Sequence, residues 1–191
     1  LGFQSQMSTT GSYNASMGSQ ALYSNSSGGY NLSAGASSLY SNTTGTGNVA
    51  VGYQSLYYNT GVTGNVAVGY QAAYGDSTNK TGVGTTAVGY QALKLNYGTS
   101  NTAVGYQTMS SMLGNGANTA VGYQAMQTAT TNNGYDVAIG YRALQVDGGQ
   151  QNTAVGSQSL MKNTSGMGNV AVGMSALLNS TTGSNNTAVG S

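Results

Sequence analysis

Seven side chains can carry charge: Lys80, Lys94, Arg142 and Lys162 against Asp76, Asp136 and Asp147. The chain has no His, Cys, Glu, Trp or Pro. General acid–base chemistry wants a His or a pair of carboxylates held together. The three Asp are widely separated along the chain and lie in or beside turn-like stretches. Asp136 stands where other repeats place Asn, which predicts a turn role for it. Ser and Thr abound, but a hydroxyl nucleophile needs an adjacent base. Lys is the only candidate, and no SxxK pattern supports it. The regular Asp of calcium-binding repeats are missing, and without Cys there is no thiolate site or disulfide. Gly45-Thr46-Gly47 and Gly166-Met167-Gly168 do not extend into GxGxxG or a P-loop and read as turn glycines. The expectation is a non-enzyme, with no catalytic residue, cofactor-binding residue, metal ligand or cofactor, and no receptor-binding residue singled out.

Only 4% of residues are charged and the net charge is +1, where a soluble domain carries about a quarter charged residues. A near-neutral chain favours neither nucleic acid nor an anionic membrane surface as partner. No apolar run is long enough to span a bilayer, and no signal peptide is visible. The 31 Gly and many Ser resemble linker composition. The absence of Pro and the fixed recurrence of Val, Ala, Leu and Tyr argue against a linker.

Those fixed places define a repeat. The glycine of an AVG-type motif falls at Gly2, Gly18, Gly35, Gly52, Gly69, Gly89, Gly105, Gly122, Gly140, Gly156, Gly173 and Gly190. The spacings are 16 to 18 residues, except for 20 between Gly69 and Gly89. A period of this length through the whole chain predicts a solenoid. Both termini lie inside a repeat, so residues 1–191 read as one repetitive segment, about 11–12 repeats, of a longer protein. The long spacing contains Gly75 to Lys80, a polar insertion that belongs in an outward turn.

Each repeat resembles Asn48-Val49-Ala50-Val51-Gly52-Tyr53-Gln54-Ser55-Leu56. Its β-branched residues favour a strand of about five residues. Val49, Val51 and Tyr53 share one face, and Ala50, Gly52 and Gln54 the other. Sequence does not choose which face is internal. The segment that follows, as in Leu39 to Gly45, predicts a second short strand and a turn in every coil. The fold class is all-β, a parallel β-solenoid of about 17-residue coils.

Stacked coils would align Tyr53, Tyr70, Tyr90, Tyr106, Tyr123 and Tyr141 as one ladder. Asn48, Asn65, Asn101, Asn118, Asn152, Asn169 and Asn186 would form another. Twelve coils would make a rod of roughly 55 Å, and every inner strand would need its N–H, which suits the absence of Pro. Leu22, Leu39, Leu56, Leu93, Leu144, Leu160 and Leu177 form a further apolar stripe. A subunit interface is the favoured reading, against closure of a single-chain core.

These NTAVGYQAL-like units, joined by segments such as Tyr40-Ser41-Asn42-Thr43-Thr44-Gly45, resemble the repeats of phage tail-fibre proteins and bacterial surface fibres. Asn48-Val49-Ala50-Val51-Gly52 is similar to the SVAIG-type motif of YadA-like trimeric autotransporter heads. The resemblance implies a parallel β-roll, three chains around one axis, and a role in attachment. The expected function is the shaft of an extracellular attachment appendage, on a virion surface as a phage tail fibre holding a receptor-binding tip. The alternatives are a trimeric adhesin head on a bacterial cell surface and a self-assembling extracellular filament. Expected partners are further copies of the chain, as a homotrimer, and a host-surface glycan or protein receptor. Nucleic acid and membrane insertion are not expected. Tyr23, Tyr40, Tyr57 and Tyr58 could offer aromatic faces to a glycan, but packing on neighbouring coils is favoured. Thr102, Thr119, Thr153 and Thr187 resemble the Thr ladder of ice-binding solenoids, though Val replaces Thr in other repeats. The NxS/T sequences, such as Asn14-Ala15-Ser16 and Asn42-Thr43-Thr44, follow from composition.

Overall fold

A computed structural model describes residues 2–6, 10–78, 81–114, 116–129 and 134–191. The AVG motifs form eleven three-residue strands, each shorter than the five residues expected. They are β1 (Ala15–Met17), β2 (Leu32–Ala34), β3 (Val49–Val51), β4 (Val66–Val68), β5 (Thr86–Val88), β7 (Thr102–Val104), β9 (Thr119–Val121), β11 (Val137–Ile139), β13 (Thr153–Val155), β14 (Val170–Val172) and β15 (Thr187–Val189). All join one parallel sheet in chain order. Equivalent residues pair directly, as in Val49↔Val66 and Ala103↔Ala120. The protein is therefore a parallel β-solenoid of about 17 residues per coil. Ten steps between its eleven strands span about 48 Å.

Among the described residues a second strand forms in four coils rather than in all. These are β6 (Leu95–Asn96), β8 (Ser111–Met112), β10 (Thr128–Ala129) and β12 (Val146–Asp147), which make a separate parallel sheet. In the earlier coils the same place is a turn, where Asn42 N–H donates to the Leu39 carbonyl at 3.2 Å. The polar insertion does sit outward at Ser77 and Thr78, which are exposed, while Asn79 and Lys80 lie outside the described residues.

Axial hydrogen bonding continues where strands stop. Val49 N–H donates to Asn65 O in the next coil at 2.8 Å, and Gly52 N–H to Ala34 O in the previous coil at 2.8 Å. Gln54 N–H then donates backward to Ala36 O and Leu56 N–H forward to Ala72 O, each at 3.0 Å. Alternating direction through the corner requires left-handed residues at alternate positions. Gln54 has φ 53 and Leu56 has φ 50, and the pattern recurs at Gln107 (φ 49) and Met109 (φ 50). Such conformations cost a non-glycine residue about 1–2 kcal/mol. Axial bonding and core packing offset that cost. The motif glycine is the tightest point: Gly52 has φ 123, and a Cβ there would press on the Gly69 carbonyl.

The core is narrow. The alanine of each motif points inward, and Ala50, Ala67, Ala87, Ala103, Ala120, Ala138, Ala154 and Ala171 are fully buried. The flanking valines face outward. The small residue is internal because the opposite wall lies close, and that wall is the leucine stripe. Leu22, Leu39, Leu56, Leu93, Leu144 and Leu160 are fully buried within one chain, with Met109 and Met126 continuing the row. This corrects the favoured reading of these leucines as a subunit interface. Each closes the core of its own coil, a burial worth about 2 kcal/mol per leucine.

Candidate functional site

Two asparagine ladders line the interior. The first is the expected one. Asn31 Oδ1 accepts Asn48 N–H at 2.9 Å, and Asn48 Oδ1 accepts Asn65 N–H at 3.0 Å. Thr85 and Asp136 hold the places between the asparagines: Thr85 N–H donates to Asn65 Oδ1 at 2.8 Å and Asp136 N–H to Asn118 Oδ1 at 2.9 Å. The amides of Asn31, Asn48, Asn152 and Asn169 donate across the turn, as from Asn152 Nδ2 to Gly166 O at 3.0 Å. The second ladder lies three residues after each leucine. Asn42 Nδ2 donates to Asn25 Oδ1 at 2.9 Å, and Asn163 Nδ2 to Asp147 Oδ1 at 2.9 Å. Sequence reading missed this ladder, although the recurring Leu-x-x-Asn spacing carries it.

The carboxylates do not sit as expected. Asp136 and Asp147 are both fully buried, and each keeps an Oδ2 with no hydrogen-bond donor. Eleven positions apart in sequence, they occupy the two ladder positions of a single coil, so coil closure brings them together. Burial pushes Asp136 up to about 8, and the facing Asp147 adds to the effect. Two of the three Asp that are widely separated along the chain are thus brought together, and Asp136 takes the interior Asn position of its repeat. Asp76 does lie in a turn, where its Oδ1 accepts Thr78 N–H and its Oδ2 accepts the Tyr97 hydroxyl at 2.6 Å. Among the described residues no three His, Cys, Asp or Glu side chains gather.

The outer surface carries regular stripes. The expected tyrosine ladder forms, with centroids 5.3 Å apart for Tyr53–Tyr70 and 5.1 Å for Tyr70–Tyr90, Tyr90–Tyr106 and Tyr106–Tyr123. Its rings stack on one another and leave their edges exposed. Beside it runs a glutamine ladder that was not expected. Gln71 Nε2 donates to Gln54 Oε1 at 2.9 Å, and Gln107 Nε2 to Gln91 Oε1 at 3.0 Å. Arg142 joins this row through Gln124 Oε1 at 3.1 Å and lies over the Tyr141 ring. Val121, Ile139 and Val172 belong to an exposed aliphatic stripe on the same sheet face.

Tyr23, Tyr40 and Tyr57 pack on neighbouring coils, at 5.1 Å for Tyr23–Tyr40 and 4.9 Å for Tyr40–Tyr57. Tyr58 meets Tyr57 edge-on at 4.8 Å. Tyr40 and Tyr57 are thereby stacked on both faces, and burial raises the phenols of Tyr57 and Tyr74, the latter to about 12. Lys162 Nζ donates to Asn179 Oδ1 at 3.0 Å. Asn42, an asparagine of an NxT sequence, is fully buried and closed to modification. Thr102 and Thr119 pair in register on the outer face of the main sheet. No helix among the described residues is long and apolar enough to cross a membrane. The chain matches no protein-family model, no curated protein and no solved structure.

Proposed function

We propose that this solenoid is the shaft of an extracellular attachment fibre, of the kind that holds a receptor-binding tip away from a virion. The observation that carries the reading is the axial bonding, which among the described residues joins coil to coil through strands and corners alike from Ala15 to Gly190. A fibre must resist bending and proteolysis along its whole length. Repeats that contact only their neighbours satisfy that need when every interface is well bonded. The resemblance of NTAVGYQAL-like units to tail-fibre and trimeric adhesin repeats points the same way.

Three copies would share one axis. With the leucines occupied in the single-chain core, the exposed stripe of Val121, Ile139 and Val172 is the apolar surface left for contact between copies. Light scattering at several concentrations is expected to give a constant mass of three 19.1 kDa chains. A folded monomer would remove the trimer. Mass climbing without a plateau would favour the end-to-end filament, for which parallel edge strands such as β15 are competent.

Deleting three whole coils from the full-length protein separates a shaft from an adhesin. A shaft shortens by about 14 Å and attachment to cells persists. Attachment lost in proportion to the deleted coils would assign receptor contact to the repeats themselves and overturn the shaft reading.

A further inference from the structure

The interior contains an irregularity that a structural shaft does not need. In the described coils the first ladder is built from Asn, with Thr only at position 85 and Asp only at position 136. The second ladder carries Asp at position 147, and at position 76, where the residue is half-buried and bonds Thr78 and Tyr97. Asp136 and Asp147 fall in one coil. The equivalent pair of the next coil, Asn152 and Asn163, converges on a single carbonyl, Gly166 O, at 3.0 and 2.8 Å. The same positions turn the two buried carboxylates towards each other. Asp136 keeps the ladder's acceptor role, since its Oδ1 accepts Asn152 N–H at 2.7 Å. Unlike Asn, an ionised Asp cannot donate. Its second oxygen, Oδ2, is buried without a donor in the chain. The neighbours above and below offer no compensating cation. They are Asn118 and Asn152 in the first ladder, and Ala129 and Asn163 in the second, all uncharged. Arg142 points outward to Gln124, and Lys162 lies on the surface against Asn179. Among the described residues Asp147 is the one charged group acting on Asp136.

We propose that Asp136 and Asp147 form a proton-held latch: one shared proton closes this coil, and its loss loosens the solenoid there while the coils on either side stay bonded. Two carboxylates in a dry interior cannot both be charged without a large desolvation and repulsion cost. With one proton between them, Asp136 becomes a carboxylic acid. Its C=O accepts from Asn152 and its O–H donates to Asp147, which reproduces the donor-plus-acceptor pattern of the asparagine it replaces. Asp147 also accepts Gly149 N–H at 3.1 Å and Asn163 Nδ2. The latch therefore reaches the turn after β12 and the restart of the second ladder.

The sign follows from the raised value of Asp136. Its folded form holds the proton up to about 8, whereas an unfolded Asp releases it near about 4. The stabilisation is complete below about pH 4 and is lost progressively as pH rises to about 8. Over that window local opening increases by up to about tenfold per pH unit, and above it the dependence flattens.

The test uses the intact chain labelled with ¹³C at aspartate side-chain carboxyls. With three Asp and no Glu, its carboxyl spectrum contains few signals. The signal lost in Asp136→Asn is expected at its protonated position at pH 7 and to titrate near 8. Thermal unfolding of the wild type is expected to fall from pH 5 to 8, while the double variant Asp136→Asn, Asp147→Asn stays level. All three carboxyls ionised at pH 7 would overturn the latch, as would a double variant with the wild-type pH dependence. If the variants fail to fold, the wild-type carboxyl spectrum decides alone, through the presence or absence of one protonated side chain at pH 7.

Discussion

The coils carrying Asn25, Asn42 and Asn59 and those carrying Asn96, Met112, Ala129 and Asp147 share one main sheet but close their second side differently. In the former, Asn25 and Asn42 donate to the turn glycines Gly28 O and Gly45 O at 2.8 and 3.1 Å, Asn42 also donates to Asn25 Oδ1, and Asn59 Oδ1 accepts the turn N–H of Val62 at 3.1 Å. The backbone N–H of each folds back to the preceding leucine and no strand forms. The outer wall there is the stacked row of Tyr23, Tyr40, Tyr57 and Tyr74. In the latter, Met112 and Ala129 interrupt the polar ladder, and two-residue strands pair instead: Asn96↔Met112 and Ala129↔Asp147. The side-chain amide and the backbone ladder are thus alternative ways to hold one wall. Each appears where the inward residue permits it.

The largest effect should ignore this difference. Gly52→Val and Gly105→Val, one in each region, both place a side chain at strongly positive φ against the next coil's backbone. Each is expected to lower local stability by about 3 kcal/mol or more, read from amide exchange in the flanking coils. A much smaller loss in one region would mean that the main sheet is not shared equally.

The next effect tests the alternative walls directly. Asn42→Leu removes the donor to Asn25 Oδ1 and Gly45 O, at about 2 kcal/mol. Met112→Asn buries an amide beside Ala129 and should cost a similar amount, about 1–3 kcal/mol. Adding Ala129→Asn completes a ladder from Asn96 to Asp147. The double variant should then be less destabilised than the sum of the singles by about 1 kcal/mol. Additive losses would refute the ladder as a cooperative unit.

Stacking comes next. Tyr40→Ala, in the more covered row, should cost more than Tyr106→Ala in the exposed row, each on the order of 1 kcal/mol. The smallest change is a gain. Ala117 sits at φ 59 where other coils use glycine, such as Gly47 at φ 65. Ala117→Gly should stabilise by up to about 1 kcal/mol, seen as slower exchange at Asn118.

Much of this was legible in the sequence. The in-phase glycines gave the coil length, and Asn48 and Tyr53 with their equivalents gave two ladders. The inward face was not legible, because Val and Ala alternate and either set could line a core. Only the closeness of the leucine wall selects Ala50 over Val51. The corners were hidden because Leu56 and Gln54 have no intrinsic preference for left-handed backbone. Axial bonding imposes it on them. The Asp136–Asp147 contact was hidden because their meeting depends on coil closure, although their repeat positions were readable.

Residue-resolved amide exchange tests the axial bonding most directly. If the bonding runs through corners as well as strands, Gln71, Ala73, Gln107 and Met109 should be protected as strongly as Val66 and Thr102, all of which donate to a neighbouring coil. Protection confined to strand amides, with rapid exchange at Gln71 and Gln107, would contradict a continuously bonded shaft.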